Sequence, residues 1–173
     1  GMSIQAQQTD VQPTPQKATP ASQTIKLTGV YQWNGMNEAN PYATEVLKSL
    51  LGTGESTNGG LKIHIGERGD KAVSKYKKFI PAQAEGYFLR ISPKEIVLAG
   101  HDERGTFYAV QTLRQLMEDG QLPVTEITDY PEIRFRGVVE GFYGAPWSHE
   151  ARLRQLKFYG ENKMNTYIYG PKD

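Results

Sequence analysis

Two short stretches carry the residues best suited to chemistry. In "EGFYG", Gly141 and Gly144 flank Phe142 and Tyr143 directly after an apolar run, Arg136 to Glu140. Glycines there let the backbone turn sharply and approach a ligand closely. In "YGPKD", Gly170 and Lys172 follow a second run, "NTYIYG". If both runs are parallel strands of a barrel of alternating strands and helices, these residues lie past the carboxyl ends of the strands, where such barrels bind ligands. A phenol, an ammonium and exposed backbone groups suit recognition of hydroxyls. Ordinary turn chemistry is the competing reading of the same glycines.

Elsewhere the reactive residue types read as structural. Hydrolysis of glycosides commonly uses two carboxylates, and adjacent acids occur at Asp102-Glu103 and Glu118-Asp119, with no Asp-Asp pair in the chain. Those two pairs bracket a helix-forming stretch, which favours a cap and a solvated end over catalysis. His64, His101 and His149 have no metal-ligand spacing, and Ser148-His149-Glu150 reads as a helix start. There is no phosphate-binding G-x-x-x-x-G-K-[ST] loop. Nothing in the pattern asks for a metal or another cofactor.

Bulk properties narrow the classes further. The 173 residues hold 20 Lys plus Arg against 19 Asp plus Glu, a net charge of +1, which gives no electrostatic basis for nucleic-acid or anionic-membrane binding. No apolar run approaches the ~20 residues of a membrane-spanning helix. Cysteine is absent, so disulfides and thiolate chemistry are too. Ten Tyr, six Phe and two Trp could stack on sugars but chiefly fill cores. Gly1-Met2 reads as a cloning remnant, and no signal sequence stands at the start.

The elements that must position the two stretches follow from periodicity. Residues 1–23, rich in Gln, Thr and Pro, read as a disordered leader. From Thr24, "TIKL" and "GVYQW" read as two short strands or one bent one. Asn40 and Pro41 open a helix whose stripe is Ala43, Val46, Leu47 and Leu50, with Gly52 as its stop. Leu61, Ile63 and Ile65 share one face of a strand. A shorter helix from Asp70 turns Val73, Tyr76 and Ile80 inward and ends at Pro81. "GYFLRISPKEIVLAG" is a hairpin through Ser92-Pro93-Lys94. The strongest helix follows, capped by Asp102, striped by Ala109, Val110, Leu113, Leu116 and Met117, and closed by Gly120. "PVTEITDYP" supplies one more strand.

Residues 24–131 are therefore expected to form an α+β domain, a mixed and mostly antiparallel sheet packed against helices. Residues 132–173 read as one βαβ unit: "RFRGVVEG", a helix capped by Ser148 and carrying Leu153, Leu156 and Tyr159, then "NTYIYG". Parallel strands need both faces covered, so this unit implies partners beyond itself.

The stretch "RGVVEGFYGAPWSHEARLRQLKFYGENKMNTYIYGPKD" resembles the first βαβ unit of the catalytic barrel in glycoside hydrolase family 84, the bacterial O-GlcNAcase-like β-N-acetylglucosaminidases. Upstream, "IVLAGHDERGTFYAVQTLRQL" resembles the accessory domain preceding the barrel in that family and in the hexosaminidases of family 20. The resemblance implies that the Gly141 carbonyl and the Lys172 ammonium bond hydroxyls of N-acetylglucosamine, and that Tyr143 lines the pocket near the 2-acetamido group. It implies substrate-assisted retention through an oxazoline, helped by two neighbouring aspartates after the fourth strand of a (β/α)8 barrel.

On this reading the chain is the N-terminal part of a glycosidase, cut after the second barrel strand. Residues 1–173 are expected to be inactive alone, to contain no catalytic residue, and to have the rest of the barrel as missing partner. The whole protein would act on N-acetylglucosamine-containing glycans or glycoproteins, exported from a bacterium. The alternative makes residues 24–131 a non-catalytic carbohydrate-binding or interaction module, with Tyr31, Trp33, Tyr42, Tyr87 and Tyr108 as a sugar platform.

Overall fold

A computed structural model describes residues 11–21, 23–141 and 145–170. Contacts divide the chain after Pro131 into two compact units. The first contains β1 (Lys17–Ala18), β2 (Thr24–Lys26), β3 (Val30–Asn34), α1 (Pro41–Leu51), β4 (Gly54–Glu55), β5 (Leu61–Glu67), a 3-10 helix (Lys71–Phe79), β6 (Tyr87–Ile91), β7 (Glu95–Gly100), α2 (Glu103–Leu116), β8 (Gln121–Pro123) and β9 (Thr125–Asp129). The α+β class expected from the sequence is borne out.

Seven strands form one sheet in the order β1-β9-β6-β7-β5-β3-β4, and β2 pairs with β8 separately. The pairings on the β1 side, through β9 and β6 to β7, are antiparallel; those from β7 through β5 and β3 to β4 are parallel. The sheet is thus evenly mixed where local pattern leaned towards antiparallel neighbours. Hairpins announce themselves in adjacent sequence, whereas a parallel neighbour arrives only after a crossover.

Alternation along the strands separates two apolar layers. On one face Tyr31, Ile63, Leu89 and Leu98 meet Ala43 and Leu47 of α1 and Ala109 and Leu113 of α2, all essentially inaccessible. On the other, Phe88, Val97 and Ala99 meet Val73 and Tyr76 of the 3-10 helix, with Ile80 beside them. That helix has the predicted inward residues but not the α form. Asp70 makes no capping bond; its Oδ2 instead accepts from the Glu67 amide at 2.8 Å.

Two further expectations change. Gly120 does not close α2, which stops at Leu116. Asp119 and Gly120 both have positive φ, 49° and 69°, between Glu118 and Gln121, whose backbones exchange hydrogen bonds of 3.1 and 2.8 Å. That is a two-residue hairpin turn of the kind that favours an Asp-Gly pair.

The leader departs more strongly. Where disorder was expected, Val11 is 1% exposed in the main core, and Lys17–Ala18 pair with Ile127 and Thr128. The Gln115 side chain accepts from the Gln12 amide at 2.9 Å and donates to the Gln12 carbonyl at 3.0 Å. The Gln16 amide donates to Asp129 Oδ1 at 3.1 Å. This segment is held by backbone hydrogen bonds, to which apolar composition is blind.

The second unit consists of β10 (Gly137–Gly141), α3 (His149–Glu161) and β11 (Thr166–Gly170). Its strands are parallel and in register, from Gly137 opposite Thr166 to Gly141 opposite Gly170. Gly137 is required by close approach, because a Cβ there would lie 1.6 Å from the Thr166 carbonyl oxygen. Ser148 caps α3, its Oγ accepting from the Ala151 amide at 3.2 Å. Of the expected helix stripe Tyr159 is buried, against Tyr167, while Leu153 and Leu156 are exposed.

Candidate functional site at the strand ends

Gly141 and Gly170 are register partners at the carboxyl ends of parallel β10 and β11, so the backbone that the sequence singled out stands at one shared edge. Gly141 is exposed there. Tyr143 and Lys172 lie outside the described residues.

Immediately behind Gly141 sits a cluster that the sequence reading missed. Glu140 is only 6% exposed. Arg152 of α3 donates to it from Nε, 3.0 Å from Oε2, and from Nη2, 2.9 Å from Oε1. The Tyr167 hydroxyl of β11 donates to Oε2. Arg152 above all, then Tyr167, holds the Glu140 carboxyl below the usual range, and Glu140 in turn raises the Tyr167 phenol and the Arg152 guanidinium. Arg152 also lies 5.1 Å from the Tyr169 ring centroid. The available signal was an acid among valines at the position that alternates with Val138, hence on the same face.

The other sequence candidates resolve into structure. Asp102 caps α2, Glu118-Asp119 belongs to a turn, and Glu150 pairs with Arg154 on the α3 surface at 2.5 Å. His101 Nδ1 lies 3.1 Å from the Pro81 carbonyl. His64 lies under the 3-10 helix with Nδ1 3.0 Å from Asn34 Nδ2 and Nε2 3.7 Å from Glu95 Oε2. Tyr76 donates to the same Glu95 oxygen at 2.6 Å. Burial, then the Lys75 charge, pushes the His64 imidazole down. Burial alone would raise Glu95, but Tyr76, Lys75, His64 and Arg90 outweigh it and the net shift is downward. Among the described residues no three His, Cys, Asp or Glu side chains gather as metal ligands, and no helix is long and apolar enough to cross a membrane.

The proposed aromatic platform does not form. Tyr31, Tyr87 and Tyr108 are 0%, 1% and 5% exposed, and Trp33 is half-buried with its indole donating to the Gly54 carbonyl at 3.0 Å. Tyr87 is spent inside, its hydroxyl 2.6 Å from Thr112 Oγ1 and donating to Asp129 Oδ2 at 3.2 Å. Tyr42 alone of the five is exposed.

Residues 8–130 match the family described as glycosyl hydrolase family 20, domain 2. The chain belongs to this family. Residues 136–173 match a second family, described as beta-N-acetylglucosaminidase. Of solved structures, CpGH84B is similar with a TM-score of 0.83 and 36% identity, over 94% of this chain and 30% of that one. A Bacteroides fragilis β-N-acetylhexosaminidase shares the fold at a TM-score of 0.70 and 23% identity, over 93% of this chain and 32% of that one. The Rattus norvegicus protein O-GlcNAcase is 51% identical over 37 residues, 21% of this chain and 4% of that protein. A Porphyromonas gingivalis β-hexosaminidase is 33% identical over 90 residues, 44% of this chain and 12% of that protein.

The chain therefore spans 4% and 12% of these curated relatives and about a third of the solved structures. The expected family 84-like accessory domain of a hexosaminidase is borne out for the family 20 domain 2 region.

Proposed function

We propose that this chain is the N-terminal part of a glycosidase that removes terminal β-linked N-acetylglucosamine with retention, the substrate's own 2-acetamido oxygen attacking the anomeric carbon. The match of residues 136–173 to the β-N-acetylglucosaminidase family carries this reading. The paired strand ends at Gly141 and Gly170 support it by presenting backbone where (β/α)8 barrels bind ligands. Gly141 through its carbonyl, Lys172 through its ammonium and Tyr143 beside the acetamido group are the sugar-binding residues. The family 20 domain 2 region serves as a structural support for the barrel; its aromatic side chains, taken up in the core, leave little for a sugar platform.

The chemical step belongs to an adjacent aspartate pair, one orienting the acetamido group and one acting as general acid and then base. Residues 1–173 contain no Asp-Asp pair, so on this reading they do not hydrolyse the substrate by themselves. An aryl N-acetyl-β-glucosaminide tests both halves. The full-length protein carrying these residues is expected to cleave it with retention, and residues 1–173 are not. Turnover by residues 1–173 that survives removal of host hexosaminidases, or an inert full-length protein, overturns the reading.

A further inference from the structure

We infer that Glu140 is a positioning residue, whose carboxylate clamp on Arg152 and Tyr167 fixes the strand-end backbone at Gly141 for sugar binding. The inference rests on the sugar-binding reading of Gly141 given above. Glycine has no side chain to anchor it, so the placement of its carbonyl is set by what its neighbours hold. Glu140 is the preceding residue, and alternation along β10 turns its side chain to the face opposite that of position 141. On this reading it acts from behind the strand, through the backbone.

The donors come from two separate segments, Arg152 from α3 and Tyr167 from β11. One carboxylate therefore ties the end of β10 to its neighbouring strand and to the start of the helix. Arg152 engages both oxygens, the fork geometry that fixes direction as well as distance. The ionised state that this requires is favoured by Arg152 and by Tyr167.

A role in stability alone explains the arrangement poorly. Replacing a buried ion pair with apolar residues of similar volume is often neutral or stabilising, because desolvation offsets the attraction. What the ion pair adds over an apolar pair is orientation. Displacing a binding group by about 1 Å can cost on the order of a hundredfold in rate.

The test uses the full-length protein carrying these residues, with an aryl N-acetyl-β-glucosaminide and free N-acetylglucosamine as competitor. Glu140→Gln and Arg152→Lys are expected to lower kcat/KM per folded molecule by about tenfold or more and to weaken N-acetylglucosamine inhibition in parallel, beyond whatever stability the broken ion pair costs. Tyr167→Phe, which removes one donor only, is expected to fall between them and the unsubstituted protein. Should Glu140→Gln fail to fold, Arg152→Lys and Tyr167→Phe decide on the same criterion. Variants that melt earlier but keep kcat/KM per folded molecule within about twofold would make the cluster merely structural and overturn the proposal. An unsubstituted full-length protein without turnover overturns the sugar reading and this inference together. Active protein with indifferent variants overturns this inference alone.

Discussion

The Glu85 amide donates to Asp102 Oδ2 at 2.8 Å while the other oxygen of that carboxylate accepts from Gly105 at 2.9 Å. One side chain thus caps α2 and holds the loop before β6, where Glu85 adopts a φ of +62°. Removing it deletes both bonds. Loss of the cap costs about 1 kcal/mol, and loss of the Glu85 bond to a charged acceptor adds about 1 to 3 kcal/mol. Asp102→Ala is therefore expected to destabilise the domain by about 2 to 4 kcal/mol, read from urea unfolding. Asp102→Asn should recover only part, since its amide nitrogen cannot accept. A loss under about 0.5 kcal/mol would show that the carboxylate bonds contribute little.

Gly105 is the third residue of α2, and replacing a helical glycine with alanine ordinarily stabilises by about 1 kcal/mol. Here the sign should reverse. A Cβ at position 105 would fall 2.1 Å from the Gly86 carbonyl oxygen and 3.0 Å from its carbon, both rigid backbone. Gly105→Ala is expected to cost about 3 kcal/mol through forced separation of α2 from the loop before β6. A raised melting temperature would disprove the close approach.

These two contacts also mark the boundary of what the sequence discloses. Asn40-Pro41 and Asp102 announced α1 and α2 because caps and stripes are local, and Ser92-Pro93-Lys94 announced the β6 to β7 hairpin for the same reason. The order of the sheet was not legible: β5 lies between β3 and β7 through crossovers that leave no mark in neighbouring residues. The site divides in the same way. Gly141 was readable from its glycine spacing, but the Glu140 clamp joins positions 140, 152 and 167, and its meaning exists only once β10, α3 and β11 are packed.

Val11 gives a direct test of the ordered leader. At 1% exposure in the main core it should behave as a core residue despite its polar surroundings in sequence. Val11→Ala removes two methyl groups, expected to cost about 2 kcal/mol with the small cavity included. An unfolding midpoint indistinguishable from that of the unsubstituted chain would return residues 11–18 to the status of a tail.

Acid should weaken the first unit in two stages. His64 has a folded value below the ordinary 6.5, owing first to burial and then to Lys75. Below 6.5 the unfolded chain takes up a proton that the folded chain resists, so stability present above that value is lost as pH falls towards the folded value. Glu95, lowered by Tyr76, Lys75, His64 and Arg90 against its own burial, adds a second loss below its ordinary 4.5. Glu67 works the other way: burial, then the Asp70 contact, raises it, so its contribution is present below 4.5 and lost as pH rises through its folded value. The difference between the chain and its His64→Gln variant isolates the first stage. That difference in urea midpoint should change as pH falls below 6.5, the variant losing less than the parent; parallel curves would exclude His64 as the source.

The second unit should hold together less firmly than the first in residues 1–173. Val139 and Ile168, register partners on the face of the two-stranded sheet that alternates with Glu140 and Tyr167, are 63% and 52% exposed. Leu153 and Leu156 of α3 are 53% and 42% exposed. A parallel sheet ordinarily buries both faces, and each strand of a two-stranded sheet leaves one edge unpaired. Local opening there uncovers little additional apolar surface, whereas opening α2 uncovers Ala109, Val110 and Leu113, each at 0% exposure. Amides of Val138 to Glu140 and Tyr167 to Tyr169 should therefore exchange hydrogen faster than those of Ala109 to Leu113 in the same sample. Equal protection in the two segments would mean that the exposed faces cost the unit nothing, and the argument from uncovered apolar surface would fail.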